Sequence, residues 1–155
     1  MEFLADKLRV KKSTLEGAGK GLFTTVDIPK GTRIVEYRGQ VMTWKEASKD
    51  VDNGYIFFIS NKRVINAKDN AEELGRYAND ATGLTRIKGI TNNAEYVIEK
   101  GKAFIDAKKD IPKGSEIFVS YSKEYWDVIR ENIRADKEKA KAAAKELKKA
   151  TKKKK

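Results

Sequence analysis

The sequence predicts a β-rich α+β domain, and three observations carry that expectation. Short runs rich in β-branched and aromatic residues recur up to Tyr121, Gly, Pro, Asn or Asp turns punctuate them, and apolar residues take up helical spacing only after Tyr125.

Taken in order, KLRVKKST alternates partly between apolar and polar residues, and EGAGKGLFTTVDIPKG then places three glycines within five residues ahead of a Pro-Lys-Gly turn. The expected succession is strand, glycine loop, strand, turn. DIPKG occurs twice, at 27–31 and 110–114, and leads first into TRIVEY and then into SEIFVSY. Pro at the second turn position and Gly at the fourth predict a type I turn feeding a strand in each case. WKEASKD reads as one helical turn, GYIFFIS and KRVINA as strands about an Asn-Lys turn, and AEELGRYA as a short helix. RYANDA, residues 76–81, has turn chemistry, because Asn and Asp side chains bond their own backbone. AEYVIEKG and KAFIDAKKD form a strand pair joined at Gly101. Tyr125, Ile129 and Ile133 mark one helix face; beyond them only Leu147 is large and apolar, so KKATKKKK is expected to be frayed or disordered.

The 155 residues include 2 Trp, 6 Tyr and 6 Phe, enough for one core and too short a chain for two. The expected division is a domain over 1–127 followed by a basic C-terminal helix and Lys-rich flexible tail over 128–155. With no Cys and no His, disulfide scaffolds, thiolate zinc sites, cysteine nucleophiles and imidazole bases are excluded, and no metal site is expected. No apolar run approaches the roughly 20 residues of a membrane span, and MEFLADKLRV lacks the order of a signal peptide. A soluble protein within the cell, in cytoplasm, nucleoid or nucleus, is the expectation. Of the net charge of +11, residues 128–155 hold +8, from 12 Lys and Arg against 4 Asp and Glu. Such a segment binds nucleic acid or another polyanion, or is a solvated helix end; charge alone does not choose.

Four segments in order, GKGLF at 19–23, EYRG at 36–39, INAKDNAEELGRYANDA at 65–81 and DIPKGSEIFVSY at 110–121, together resemble the SET domain of S-adenosylmethionine-dependent protein lysine methyltransferases. The resemblance covers about residues 7–127, and its ordered combination is far more specific than any one part. It implies a β-clip fold of short strands in small sheets, with the chain end threaded beneath an earlier loop as a pseudoknot and a C-terminal helix beyond. Cysteine-zinc segments are absent, as in the minimal microbial and viral versions.

Within that resemblance Gly19, Lys20 and Gly21 stand beside the cofactor's carboxylate, where glycines let backbone N–H groups approach an anion. Asn79 bonds the cofactor's amino-acid end, the backbone around Asp80 recognises the adenine edge, and Arg76 orders the segment. The family's His-Ser is Asp80-Ala81 here. Tyr121 falls at the active-site tyrosine and Tyr55 near a second channel tyrosine, while Trp126 is a candidate lid over the adenine. The residues alone leave alternatives: a glycine loop without ligand, a strand-end Tyr121, a Trp126 that packs the last helix. Val119 occupies the position, often aromatic, that helps set the number of methyl groups.

The implied reaction methylates the side-chain amine of a lysine in a flexible, basic protein: a histone, a histone-like or ribosomal protein, or this chain's own tail. Nucleic acid bound through the Lys-rich tail, and a homodimer that completes the substrate surface, are further partners the reading allows. The competing class is a non-catalytic SET-like protein that binds nucleic acid or chromatin through the tail.

Overall fold

A computed structural model describes the backbone of residues 3–50, 53–83, 86–121 and 123–153; in the last range it describes the side chains of 130–149. The chain divides into two compact units, Met1–Ser120 and Tyr121–Lys155.

The first unit is built of three small antiparallel sheets. β1 (Leu8–Lys12) pairs with β2 (Lys20–Thr24) from Leu8–Thr24 to Lys12–Lys20. β3 (Arg33–Tyr37) is followed by β4 (Gln40–Met42) and α1 (Trp44–Ala47), a single turn closed by a capping box between Thr43 and Glu46. β5 (Ile56–Ser60) and β6 (Arg63–Asn66) form a hairpin whose sheet order is β4-β6-β5. A 3-10 helix, Leu74–Tyr77, precedes β7 (Ala94–Glu99) and β8 (Lys102–Ala107), which complete the order β3-β8-β7. The β7–β8 turn is Lys100-Gly101 with φ of 51° and 74°, the double positive φ of a type I′ hairpin, which agrees with strand twist.

The two DIPKG segments pair with one another. Ile28 and Ile111 exchange backbone hydrogen bonds of 2.8 Å in both directions. Asp110 accepts from the Lys30 N–H and Asp27 from the Lys113 N–H, each at 2.8 Å. Both isoleucines are 1% exposed, so the clasp is dry at its centre and polar at its rim. Each turn sits one residue later than expected. Thr32 N–H donates to Pro29 O and Ser115 N–H to Pro112 O, both at 3.1 Å, which places Gly31 and Gly114 third in the turn. Their φ values of 89° and 87° make these type II turns, which demand glycine there, rather than type I.

The run SEIFVSY, expected as a strand, joins no sheet. Its residues bridge singly, Glu116 to Phe23, Phe118 to Asn79 and Val119 to Ala94, the last two in parallel. An extended chain that takes three partners within four residues builds no ladder, although Ile117, Phe118 and Val119 are all buried.

In the second unit α2 runs unbroken over Lys123–Lys153, through most of the segment expected to fray. Ala, Lys and Glu are strong helix formers, and loss of the apolar stripe after Ile133 does not offset that propensity. Among the described residues no helix is long and apolar enough to cross a membrane.

Because the two aspartates of the clasp make the same bond, Asp27→Ala and Asp110→Ala should each lower stability by about 1 kcal/mol. Urea midpoints at unchanged m-value measure this, and a clearly unequal pair would contradict the shared geometry.

Candidate functional site

A carboxylate that sequence reasoning did not single out ties the first unit together. Glu116, in the EIFVSY run, is 5% exposed. Its Oε2 accepts from Ser13 Oγ at 2.7 Å and Asn79 Nδ2 at 3.3 Å, and its Oε1 accepts from the Thr14 N–H at 2.8 Å and Thr14 Oγ1 at 2.7 Å. A buried carboxylate is tolerable only with such a set of donors. They come from the start of the glycine loop and from the segment 76–81, so the charge binds three distant stretches of chain together.

Gly21 follows from the same carboxylate. A Cβ there would lie 2.8 Å from the Glu116 Cδ, so no other residue fits without displacing it. The signal was in the sequence as a glycine within a strand-like run, which commonly marks a close approach. Gly19 differs: its φ is 70°, and nothing lies within 4 Å of where a Cβ would be. Its flank is open, as a ligand-binding loop requires. Lys20, between them, opens β2 and is exposed.

Asn79 is held by its amide nitrogen. Nδ2 donates to the Lys20 carbonyl at 3.0 Å as well as to Glu116, and the Asn79 carbonyl accepts from the Val119 N–H at 2.8 Å. With Nδ2 shared between two acceptors, the side-chain oxygen is the end that remains to accept from a ligand. Leu15, Ala81 and Phe118 form a buried cluster, with Ala18 and Ile90 packed on it, and this fixes the glycine loop against 79–81.

The Asp80 carboxylate faces the protein. Its Oδ1 accepts from the Thr82 N–H at 2.8 Å, Thr82 Oγ1 at 2.7 Å and Asn92 Nδ2 at 3.0 Å, while Asn92 Oδ1 takes the Ala81 N–H at 2.8 Å. Asn93 completes the support, donating to the Glu116 carbonyl and accepting from the Phe118 N–H, both at 2.9 Å. Neither asparagine was singled out from sequence, since Asn-Asn in a loop reads as turn chemistry.

Arg76 and Tyr55 form a second cluster. The guanidinium lies 4.0 Å from the Tyr55 ring centroid and 5.1 Å from that of Tyr77. Its Nη1 donates to the carbonyls of Ala67 and Lys68 at 2.8 Å, and its Nε is buried without a hydrogen-bond partner. Tyr55 is half-buried on the cluster of Tyr37, Ile65, Ala67 and Ala103, and Tyr37 donates its hydroxyl to the Tyr55 carbonyl at 2.8 Å. The 3-10 helix links this cluster to Asn79. It lies close on β3: a Cβ at Gly75 would come 3.0 Å from the Glu36 carbonyl.

Gly19, Lys20, Gly21 and Asn79 therefore stand together, and Tyr55 stands with Arg76. Tyr121, two residues after Val119 in the chain, is half-buried and opens the second unit. The Trp126 side chain lies outside the described residues. Among the described residues no group of three or more His, Cys, Asp or Glu could hold a metal ion.

The sequence model of the SET domain family matches residues 19–122. The histone-lysine N-methyltransferase EZH2 of Chaetomium thermophilum is 29% identical over 135 residues, covering 79% of this chain and 8% of that protein. The N-lysine methyltransferase KMT5A-A of Danio rerio is 25% identical over 121 residues, covering 69% and 33%. The chain thus spans a third or less of these curated relatives. Among solved structures, a humanized mutant of the Chaetomium thermophilum Polycomb Repressive Complex 2 bound to the inhibitor GSK126 superposes with a TM-score of 0.61 at 27% identity, over 74% of this chain and 15% of that one. The methyltransferase domain of human PR domain-containing protein 2 shares the fold, with a TM-score of 0.57 at 23% identity over 75% and 77% of the two chains.

The shared space between Gly21 and Glu116 is open to a thermodynamic cycle. Gly21→Ala should cost about 2 kcal/mol and Glu116→Ala about 3 kcal/mol. The double variant should be more stable than their sum by about 1 kcal/mol or more, since the new methyl enters vacated space. Urea denaturation of the four proteins reads the coupling, and strict additivity would refute it.

Proposed function

The chain belongs to the SET domain family, and from that membership we propose that it is an S-adenosylmethionine-dependent protein lysine N-methyltransferase acting on a basic protein, histone or histone-like. The observation that carries the reading is the anchored Asn79. With Nδ2 taken by the Lys20 carbonyl and Glu116, its oxygen is presented beside a glycine loop whose Gly19 flank is open. An ammonium donor and a neighbouring carboxylate, the two ends of an amino-acid moiety, suit that pairing of acceptor and loop.

When bound, the cofactor supplies an electrophilic methyl group on a positively charged sulfur. The chain's residues bind and align. Asn79 would take the cofactor's ammonium, Gly19, Lys20 and Gly21 would border its carboxylate, and the main chain at Asp80 would meet the adenine edge. The Asp80 carboxylate is committed to Thr82 and Asn92, so exchange of the family's imidazole alters the loop interior.

The substrate lysine must lose its proton first, because a free lysine with pKa of about 10.4 is almost wholly ammonium near neutrality. Desolvation between tyrosines opposes the charged form, and the Arg76 guanidinium stacked on Tyr55 adds a like charge that acts in the same direction. Tyr121, with Tyr55, would then position the neutral amine; alignment of this kind contributes several kcal/mol. With no histidine in the chain, water would carry the proton away. Its relatives, a histone-lysine and an N-lysine methyltransferase, support a lysine substrate. A substrate and cofactor of this kind would set the protein inside a cell.

The test is transfer of labelled methyl from S-adenosylmethionine to mixed basic proteins and to the chain itself, with peptide mapping of the label. Tyr121→Phe should cut turnover more than tenfold while cofactor affinity holds, and Asn79→Ala should weaken cofactor binding about tenfold, as loss of one charge-assisted hydrogen bond would. A wild-type chain that neither binds the cofactor nor transfers label would leave the non-catalytic reading in its place.

A further inference from the structure

The charge of α2 is divided along its length. Residues 123–138 hold 4 Lys and Arg against 5 Asp and Glu, whereas residues 139–155 hold 9 Lys against a single Glu. The first stretch neutralises itself: Arg134 bonds Glu131 and, at 3.1 Å, Glu138, and its hydrogen bonds, then its charge, hold the Glu131 carboxyl below the usual range. The second stretch does not. Lys141, Lys145, Lys148 and Lys149 are exposed and, among the described residues, have no salt-bridge partner.

Their spacing of i, i+4, i+7 and i+8 sets all four on one face of a continuous helix. Lysine's propensity favours the helix, but like charges at such spacing oppose it, so helix stability does not explain their gathering on one face. It spans about 12 Å at 1.5 Å per residue. A nucleic-acid duplex presents about seven phosphate charges over that length. Each lysine can therefore meet a phosphate.

We propose that this lysine face of α2 binds duplex nucleic acid through its phosphates, without reading base sequence. Weak sequence preference is expected from composition: after Arg134 the chain has no Arg, Asn or Gln, and the lysine head is a compact point charge on a flexible stem, without their planar pairing geometry. An anionic membrane is disfavoured, because the opposite face over the same stretch offers Ala140, Ala143, Ala144 and Leu147, with only Leu147 large enough to enter an acyl layer. Binding at this face stands apart from the methyl-transfer reading; where that reading holds, its role would be to hold the enzyme where basic, nucleic-acid-coating proteins are concentrated.

The experiment measures anisotropy of labelled 20-base-pair DNA and RNA duplexes, each in two unrelated sequences, with the full chain and no cofactor, between about 50 and 200 mM salt. Four lysine-phosphate contacts predict a log-affinity against log-salt slope of about −3.6 or steeper, so that affinity drops about a hundredfold across that range, with the two sequences equal. Preference for DNA or for RNA identifies the source of the phosphates and supports the proposal either way. Replacing Lys141, Lys145, Lys148 and Lys149 together by Gln should flatten the slope by about 3 to 4, while replacing all four by Arg should preserve it, with helicity checked by circular dichroism. A flat wild-type slope, unchanged binding by the Gln variant, loss of binding in the Arg variant, or tighter binding to phosphatidylserine vesicles than to either duplex would each overturn it.

Discussion

Placing the Glu116 carboxylate inside the protein is the constraint on which the site depends. A charge in that position is stable only while its oxygens are covered by donors, and Ser13, Thr14 and Asn79 supply them from two loops separated by more than sixty residues of sequence. Three consequences follow together: the glycine loop is pinned at its start, β2 must carry glycine at position 21, and the Asn79 amide acquires one orientation. Loops held in this way need no further ordering when a ligand arrives, so any site they form would keep its binding energy.

What brings Glu116 to that place is the paired DIPKG clasp. After Asp110 accepts the Lys30 N–H and Ile111 meets Ile28, the second turn sends the chain back along β2: Gly114 N–H donates to the Thr24 carbonyl, Thr24 N–H to that of Ser115, and Ile117 N–H to that of Leu22. Register along β2 is thereby fixed, and Glu116 arrives across from Phe23 with its side chain in the space that Gly21 leaves. The near twofold relation between the two turns explains why one pentapeptide occurs twice. It serves as two halves of one contact and is not a repeat that builds architecture.

Local chemistry made most of the β elements legible. KRVINA, AEYVIE and KAFIDA declare themselves by β-branched and aromatic content, and Lys100-Gly101 by its turn residues. Long-range pairing was not legible. EIFVSY has the composition of a sheet strand and spends it on three different partners, a fact held in Phe23, Asn79 and Ala94 and not in the run itself. The turn shift to type II depended on φ at Gly31 and Gly114, which the hydrogen-bond register sets. Glu116 is not legible in its own run, because a Glu at the start of a strand-like stretch reads as solvent-facing; only the glycine at 21, ninety-five residues away, points otherwise. At the other end, fading apolar periodicity after Ile133 suggested fraying where Ala and Lys propensity sustains a helix to Lys153.

A chain without histidine or cysteine has few ways to do chemistry near neutral pH, and its fold answers that limit with placement. The polar groups gathered around Asn79 are backbone carbonyls, amides, hydroxyls and one carboxylate, and that carboxylate is spent on structure. Around Tyr55 the strong charge is the Arg76 guanidinium, itself anchored to two carbonyls and lacking any proton to give or take near neutrality. Groups of this kind can orient, desolvate and bias a substrate's protonation, and they cannot shuttle protons. A reaction whose nucleophile and electrophile are both brought in by the reactants, and whose barrier falls through alignment, is the kind such a site can serve.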